Sequence, residues 1–226
     1  MDLELCDNLA QLFKRLSSDP SCRAVVLSGN GKVFSAGVDL KRLLAEGDDY
    51  LERFLPALMS MFESAFRFPK PMVAAINGHA IAGGCILACT ADYRLAVSRA
   101  KIGIPELRVG VPLPAAAIEI MRYAASPAAF QRMVKIGATF HGDECVALGL
   151  ADELVDRQKI QEQAISKARE LLSIHESVFA ISKQQLRCHA IRRIEQSSAK
   201  YDADVVALWR SDNIKSIVRA YVEERL

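Results

Sequence analysis

The stretch from Ile76 to Ala96 constrains the fold of this chain more than any other, and it reads INGHAIAGGCILACTADYRLA. An apolar strand leads into a turn at Gly83 and Gly84, and a run of small residues without charge continues to Asp92. Glycine lets another group approach the backbone closely, and the first N–H groups of a helix have no partner within it. The stretch therefore predicts a buried strand, a turn that presents free N–H groups, and a packed helix.

Strand-like and helix-like segments alternate through roughly the first 110 residues, as is typical of α/β proteins. Apolar periodicity predicts helices over 2–17 and 48–67, and Pro56 marks a kink or a late start in the second. Apolar runs bounded by Gly and Pro predict strands over 23–29, 69–78 and 92–98, the first of them buried. A proline-punctuated loop or broken strand follows at 102–114.

The remainder of the chain, from Ala115 onward, is predicted to be almost entirely helical. The expected helices cover 115–124, 127–136, 142–149, 158–174, 177–192 and 197–225. A break is expected near Ser211, whose hydroxyl can cap a new helix. The pattern as a whole predicts an α/β core followed by a helical C-terminal third.

Composition narrows the class of protein. The chain has 226 residues, of which 51% are hydrophobic and 25% charged, and its net charge is +2. These values are ordinary for a globular protein, and dispersed basic residues with so small a net charge give no indication of nucleic-acid binding. No apolar run reaches the roughly 18–20 residues of a membrane span. Six scattered cysteines favour a reducing, cytoplasmic compartment, or an organelle if a targeting segment has been removed.

Two glycine-containing loops are candidates for binding an oxygen atom. FSAGVD (34–39) and AIAGGC (80–85) each end a strand-like segment and continue into a helix. If both loops directed a backbone N–H at one carbonyl oxygen, they would form an oxyanion hole. Taken singly, each loop is better explained as ordinary turn chemistry.

Glu106 is the candidate acid or base, because it follows Pro105 within an apolar stretch. A carboxylate on a rigid loop in dry surroundings has a raised pKa and can act as a base near neutral pH. The alternative is an ion pair with Arg108 or Arg122, and the residues alone leave both interpretations open. Cys85 and Cys89 are interpreted as small core residues rather than metal ligands, so no metal site is predicted.

The order and spacing of four segments resemble the crotonase family, the enoyl-CoA hydratases and isomerases. These segments are FSAGVDLKRL, KPMVAAINGHAIAGGCILACTADYRLA, IGIPELRVGVPLP and AFQRMVKIGATFHGDECVALGLADELVD. The resemblance covers nearly the whole chain and is densest from Arg23 to Asp156.

The resemblance implies an α/β fold, a crotonase-like spiral of ββα units with a C-terminal helical trimerisation region. It divides the chain into a core over 1–156 and a helical region over 157–226, and it implies a homotrimer or hexamer. Family members usually begin with a β-hairpin ahead of the first helix. This sequence begins at the helix, so that hairpin is expected to be absent and the adenine end of the coenzyme A channel more exposed.

The resemblance also implies the site. The thioester carbonyl of an acyl-CoA substrate would lie between the N–H groups of Val38 and Gly83. Further residues of the same two turns would bind the acyl-CoA: Ala36, Gly37, Asp39, Leu40 and Gly84. Coenzyme A is part of the substrate, so no separate cofactor is implied. The acyl pocket is expected to be lined by residues of 48–67 and of the C-terminal helices.

Ile86 distinguishes between the reactions of the family. Similar hydratases carry a glutamate at the position of Ile86 and a second one at that of Glu106. The dienoyl-CoA isomerases carry aspartates at the positions of Ile86 and Pro114. One acid remains here, which resembles the Δ3,Δ2-enoyl-CoA isomerases and implies Glu106 as the single acid and base. The alternatives are a hydratase-like or other crotonase-type reaction, and a non-catalytic acyl-CoA-binding protein. For Glu119, a salt bridge is expected rather than a catalytic role.

Overall fold

A computed structural model describes residues 1–225, which form two four-stranded sheets with helices around them. The first sheet holds, in spatial order, β1 (Val25–Ser28), β3 (Met72–Ile76), β5 (Tyr93–Ala96) and β8 (Glu153–Leu154), all parallel. The second holds β2 (Val33–Ser35), β4 (His79–Ile81), β6 (Lys101–Gly103) and β7 (Thr139–His141). Only the β6–β7 pair of this sheet is antiparallel.

Ten helices complete the described part of the chain. They are α1 (Leu3–Ser18), α2 (Leu40–Phe66), α3 (Gly83–Ala88), α4 (Glu106–Val109), α5 (Ala115–Ala124), α6 (Pro127–Ile136), α7 (Asp143–Ala147), α8 (Ile160–Leu171), α9 (Glu176–Arg210) and α10 (Asp212–Arg225). Each turn of the chain places one strand in each sheet and then a helix, so β1-β2-α2, β3-β4-α3 and β5-β6-α4 stack as a spiral. The predicted α/β spiral with a helical C-terminal region is confirmed.

The corner between the sheets is held by one amide side chain. Asn77 donates to the carbonyl oxygens of Gly29 and Gly31, both at 3.0 Å, and accepts the Gly29 N–H at 2.9 Å. These bonds satisfy backbone groups of the turn between β1 and β2, which a buried corner would otherwise leave unpaired. Asn77, which lies between β3 and β4, thus links its own corner to the turn between β1 and β2.

Helix α2 is the centre of the hydrophobic core, but it is not straight. Gly47, with φ 73° and ψ −154°, is its one non-helical residue, so a short helix over 40–46 precedes a long one over 48–66. The short helix after FSAGVD and the longer helix over 48–67 are thus confirmed. Pro56 neither kinks the long helix nor starts it, because the break lies at Gly47, where a positive φ costs glycine little.

Three sequence expectations need correction. Helix α9 runs without interruption through 193–196, because that segment has no helix breaker and its Ile194 is buried in the core. The helical prediction beyond Ala115 omitted β7 and β8, since strands of three and two residues show no measurable alternation. The strand at 23–29 is half-buried rather than buried, because β1 lies at an edge of its sheet.

A buried ion cluster fixes α9 to the core. Lys183 donates to Asp92 at 2.6 Å and to the Lys70 carbonyl oxygen at 2.9 Å. Arg187 donates to Asp92 at 2.8 Å and to the Phe66 carbonyl oxygen at 2.7 Å. Burial lowers the pKa of Lys183 to about 8, although the Asp92 carboxylate opposes that shift. Among the helices of residues 1–225, none combines the length and apolarity required to cross a bilayer.

Candidate active site

Two turns, one after β2 and one after β4, come into contact at the same end of the second sheet. Gly37 has φ +87°, and a Cβ atom placed on it would lie 2.6 Å from the Ala82 Cβ and 3.3 Å from the Gly83 nitrogen. Only a residue without a side chain allows the turns to approach so closely. The structure therefore brings together the two loops that the sequence singled out.

The second turn is strained. Ala82 is the one non-glycine residue with positive φ, 57°, in the described chain, and its N–H donates to the Gly103 carbonyl oxygen at 2.9 Å. Such a backbone conformation costs about 1–3 kcal/mol, so the surrounding contacts must enforce it. It reverses the chain at the start of α3, which makes Gly83 the first helical residue.

The N–H groups of Val38 and Gly83 donate no hydrogen bond to any residue of 1–225. Gly83 is buried and Val38 half-buried, and both line one cavity. An unpaired backbone N–H in such a place is a donor available to a ligand. The predicted oxyanion-hole pair thus shares a cavity, with both N–H groups unpaired.

The cavity has a volume of about 180 Å³, and hydrocarbon side chains form most of its wall. Its lining includes Ala36, Val38, Leu40, Leu55, Leu58, Phe62, Ile81, Ala82, Gly83, Ile86, Pro105, Glu106, Val109, Val111, Pro112, Leu113, Pro114, Trp209 and Tyr221. Helix α2 and the C-terminal helices both contribute, as the sequence led us to expect. Glu106 is the single carboxyl group among these residues.

Glu106 is the first residue of α4, rather than a loop residue, and it is 8% exposed. Its Oε2 atom is buried without a hydrogen-bond partner. Burial raises the pKa of Glu106 to about 7, and its own backbone N–H opposes that shift only weakly. The alternative ion pair does not form within residues 1–225, because Arg108 donates instead to the Ile136 carbonyl oxygen at 2.8 Å and Arg122 pairs with Glu119.

Trp209 and Tyr221, which we call the roof, cover the cavity from α9 and α10. The Trp209 indole N–H donates to the Pro112 carbonyl oxygen at 3.1 Å, and the side chain is 4% exposed. Lys215 of α10 pairs with Asp48 of α2 at 2.6 Å, which holds the last helix in place. The sequence did not lead us to predict the roof. The one tryptophan of the chain lies just before the expected break at Ser211, and a large apolar side chain at the end of a helix could have indicated it.

The remaining predicted site residues divide into two groups. Ala36 and Leu40 line the cavity, whereas Gly37, Asp39 and Gly84 do not. Asp39 is the N-cap of α2 and accepts the Arg42 N–H at 3.0 Å. Gly84 allows α3 to pack on Ser35: a Cβ atom on it would overlap the Ser35 carbonyl oxygen and lie 2.7 Å from the Ser35 Cβ. In the structure Asp39 therefore caps a helix, and Gly84 allows close packing of α3 on β2.

Glu119 lies outside this cavity lining and is buried in ion pairs. It accepts from Arg122 at 3.2 Å and from Arg193 at 2.6 Å, so the expected salt bridge is confirmed. Cys85 and Cys89 are 0% and 1% exposed and belong to the hydrophobic core, as interpreted from the sequence. Within the described residues, His, Cys, Asp and Glu side chains form no cluster of three suited to a metal ion.

The stacked ββα turns and the cavity that adjoins both glycine turns place this protein in the crotonase fold class. The family described as enoyl-CoA hydratase/isomerase matches residues 1–226. The chain therefore belongs to the enoyl-CoA hydratase/isomerase family.

Relatives within this family carry both reaction names. A putative enoyl-CoA hydratase of Thermus thermophilus is 30% identical over 227 residues, covering 98% of this chain and 88% of the relative. The mitochondrial enoyl-CoA hydratase of Pongo abelii is 26% identical over 223 residues, covering 98% of this chain and 76% of the relative. The crystal structure of human mitochondrial delta3-delta2-enoyl-CoA isomerase superposes with a TM-score of 0.90 at 26% identity, covering 99% of this chain and 88% of that one.

Proposed function

We propose that this protein moves the double bond of a 3-enoyl-CoA to the 2-position, with Glu106 as the single acid and base. The observation that carries the proposal is that Glu106 is the one carboxyl group among the described residues lining the cavity. Proton transfer between two carbons of one substrate requires only one such group, provided that it can hold the proton between the two steps.

In the proposed reaction, the Glu106 carboxylate removes a proton from C2 of the substrate. The electron pair of that C–H bond delocalises over the C3–C4 double bond and the thioester, whose oxygen becomes negatively charged. The N–H groups of Val38 and Gly83 donate to this oxygen, and each donor in such a site is worth roughly 3–4 kcal/mol. Protonated Glu106 then returns its proton to C4, which leaves the double bond between C2 and C3.

The pKa of Glu106 suits both halves of this cycle. A carboxyl group with a pKa of about 7 is partly ionised at neutral pH and is also a stronger base than an exposed glutamate. Ile86 lines the same cavity and offers neither a proton nor a hydrogen bond to water. The hydrocarbon surroundings thus favour proton return to carbon over addition of water.

Hydration is a second candidate because of Tyr221. Its hydroxyl belongs to the roof, so it is a second polar group that could hold a water molecule near Glu106. Relatives named as hydratases are also consistent with this reaction. Retention of solvent oxygen in the product distinguishes the two reactions.

Substitution of Glu106 by glutamine tests the proposal in a spectrophotometric assay with a 3-enoyl-CoA. Glutamine keeps the shape of the side chain but cannot accept the C2 proton, so we expect kcat to fall by roughly 10²- to 10⁴-fold. Glu119→Gln is the matched control, because it removes a buried carboxylate outside the cavity lining, and we expect its kcat to stay near that of the unmodified protein. A Glu106→Gln protein with unchanged kcat contradicts the proposal. Tight acyl-CoA binding without turnover in the unmodified protein would instead favour a non-catalytic binding protein.

We also propose that the protein assembles as a homotrimer or as a hexamer of two paired trimers. The first half of α9 exposes apolar side chains, with Val178 54%, Ile181 51% and Leu186 68% exposed. Open grooves of about 580 and 600 Å³ flank this part of the helix. A contact with a second copy of the chain would remove this surface from water, and the family resemblance supports that copy as the occupant. The molecular mass in sedimentation equilibrium tests this proposal.

A further inference from the structure

We propose that the site selects short acyl groups made wholly of hydrocarbon, and that Trp209 sets the limit on their length. This inference rests on the proposed function in one respect only, namely that the cavity holds the acyl part of an acyl-CoA. It concerns which acyl groups bind and makes no assumption about the reaction.

The first observation is the size of the cavity. Its volume of about 180 Å³ is small beside the roughly 300–1,000 Å³ of pockets that hold drug-sized ligands. The interior around it is close-packed, and an extra methylene in such surroundings displaces side chains from their preferred rotamers. A long acyl chain therefore does not fit without movement of the wall.

The second observation is that the cavity has an open side and a closed side. Ala36 is exposed and Leu40 half-exposed, and both lie on the first turn where the thioester would enter. Leu55, Phe62 and Ile86 are each 1% exposed and belong to the central core. An acyl group that enters past the first turn therefore meets a wall that is continuous with the protein interior.

The third observation concerns polar groups. Glu106, Trp209 and Tyr221 are the lining residues with polar side-chain atoms in the described chain. The Trp209 N–H is already used by the Pro112 carbonyl oxygen, so the Glu106 carboxyl group and the Tyr221 hydroxyl are the polar side-chain groups that remain in the lining. A carboxylate or hydroxyl on the acyl chain would give up its bonds to water and find few partners in exchange.

Trp209 is the residue best placed to fix the length limit. It is the largest side chain of the roof, and its hydrogen bond to Pro112 leaves it little freedom to rotate. Ile217 of α10 packs against Gly110 at the end of α4, and the Lys215–Asp48 ion pair holds the same helix to α2. The helices that carry the roof thus contact the rest of the protein on two sides, at α2 and at the end of α4.

The test is the affinity of saturated acyl-CoAs of four, six, eight and twelve carbons, measured by titration calorimetry on the full chain. Each methylene that enters an apolar site raises affinity roughly fourfold. We expect affinity to rise in this way at the short end and then to level off or fall before twelve carbons. We expect adipoyl-CoA, whose six-carbon chain ends in a carboxylate, to bind at least about tenfold more weakly than hexanoyl-CoA.

Trp209→Ala should move the point at which affinity levels off toward longer chains. Leu58→Ala, in the part of the wall that α2 contributes, provides a second variant with the same expected shift if the tryptophan variant does not fold. Leu208→Ala is the matched control, because Leu208 precedes Trp209 on α9, is 48% exposed and does not line the cavity. We expect the dependence of its affinity on acyl chain length to match that of the unmodified protein.

Affinity that rises steadily to twelve carbons in the unmodified protein would overturn the inference, as would folded Trp209→Ala and Leu58→Ala proteins with unchanged profiles. Because saturated acyl-CoAs are not turned over, the result is independent of the isomerase assay. Failure of the proposed function would appear instead as absent turnover of every 3-enoyl-CoA together with a normal chain-length profile.

Discussion

Glu106 carries its carboxyl group in surroundings that oppose ionisation. Hydrocarbon side chains surround it, its Oε2 atom has no hydrogen-bond partner, and no cation pairs with it in the described chain. A structural glutamate is normally buried with its charge compensated, as Glu119 is by Arg122 and Arg193. The contrast between these two carboxyl groups is the strongest physical argument that Glu106 is retained for chemistry rather than for stability.

This burial has a measurable consequence for stability. The unfolded carboxyl group loses its proton near the ordinary pKa of 4.5, whereas the folded one keeps it until about pH 7. The folded state therefore binds more protons between these values, and stability falls as the pH rises through this window. At higher pH the deficit amounts to about 3 kcal/mol.

Glu106→Gln removes this deficit, since glutamine does not titrate. We expect the variant to gain about 3 kcal/mol in unfolding free energy relative to the unmodified protein at pH 8, and little at pH 4.5. Urea unfolding at a series of pH values measures the difference, with Glu144→Gln, an exposed carboxylate, as the control. A difference that does not change between these pH values would show that the Glu106 pKa is not raised.

Sequence reasoning identified the residues of this site whose roles depend on local chain geometry. The two glycine loops and Glu106 stand out because glycines, a proline and apolar neighbours lie within a few positions, whereas Val38 and Gly83 were named within those loops by the family resemblance. The sequence left open whether Glu106 pairs with Arg108, because that depends on the position of Ile136, 28 residues beyond Arg108. Long-range partners of this kind leave no local signal.

Among the elements, α3 shows most clearly how two adjacent glycines serve different purposes. Gly83 lines the cavity with an N–H that has no partner within residues 1–225, and the nearest obstacle to a Cβ atom there is the Met1 side-chain sulfur at 2.9 Å. Gly84 packs on the backbone of Ser35 in β2. The flexible end of a methionine can move aside, whereas a carbonyl oxygen within a sheet cannot.

We therefore expect Gly84→Ala to destabilise the protein by about 1–3 kcal/mol, and Gly83→Ala to cost less than about 1 kcal/mol. The two substitutions are matched in size, helix and neighbouring position, so their difference isolates the contact with Ser35. Thermal unfolding followed by circular dichroism measures both. Equal losses for the two variants would mean that α3 is not held against β2 as described.

Helices were predicted correctly where residues typical of helix boundaries occur at their ends. α5 and α6 were predicted over 115–124 and 127–136, in agreement with the structure, because Pro114, Ser126 and Gly137 mark their boundaries. β7 and β8 were missed because they depend on pairing with β6 and β5 rather than on their own sequence.

In the whole molecule, the C-terminal helices are tied to the core by the Asp92 cluster. Asp92 accepts from Lys183 and Arg187 and also from the Met72 N–H at 2.9 Å, so one carboxylate links α9 to β3. Lys183 and Arg187 are 7% and 2% exposed. A buried cation that loses its counter-charge is costly, and Asp92 is the one carboxylate that pairs with both cations of this cluster.

Asp92→Asn keeps the shape of this side chain and removes its charge. We expect a loss of about 3–5 kcal/mol in unfolding free energy, as in other proteins that lose one member of a buried pair. Glu144→Gln breaks an exposed pair with Arg132 at 3.3 Å and should cost less than about 1 kcal/mol. Chemical denaturation compares the two, and similar small losses would refute the structural importance of the cluster.

The roof of the cavity depends on contacts between residues far apart in the chain. The sequence therefore indicated only which region contributes to it, and not which side chains. Trp209 contacts Pro112, 97 residues earlier, and Tyr221 reaches the same cavity from the last helix. The resemblance indicated that C-terminal helices line the pocket, but which side chains do so depends on the packing of α9 and α10 on α2.

The central claim is that Glu106 alone transfers a proton between two carbons without adding water. Its most direct test is the conversion of a 3-enoyl-CoA in water labelled with heavy oxygen, with the products analysed by mass spectrometry. We expect a 2-enoyl-CoA that carries no label and no accumulation of a hydroxylated product. A 3-hydroxyacyl-CoA that retains heavy oxygen at C3 would contradict it and show that the cavity holds a reactive water molecule beside Glu106.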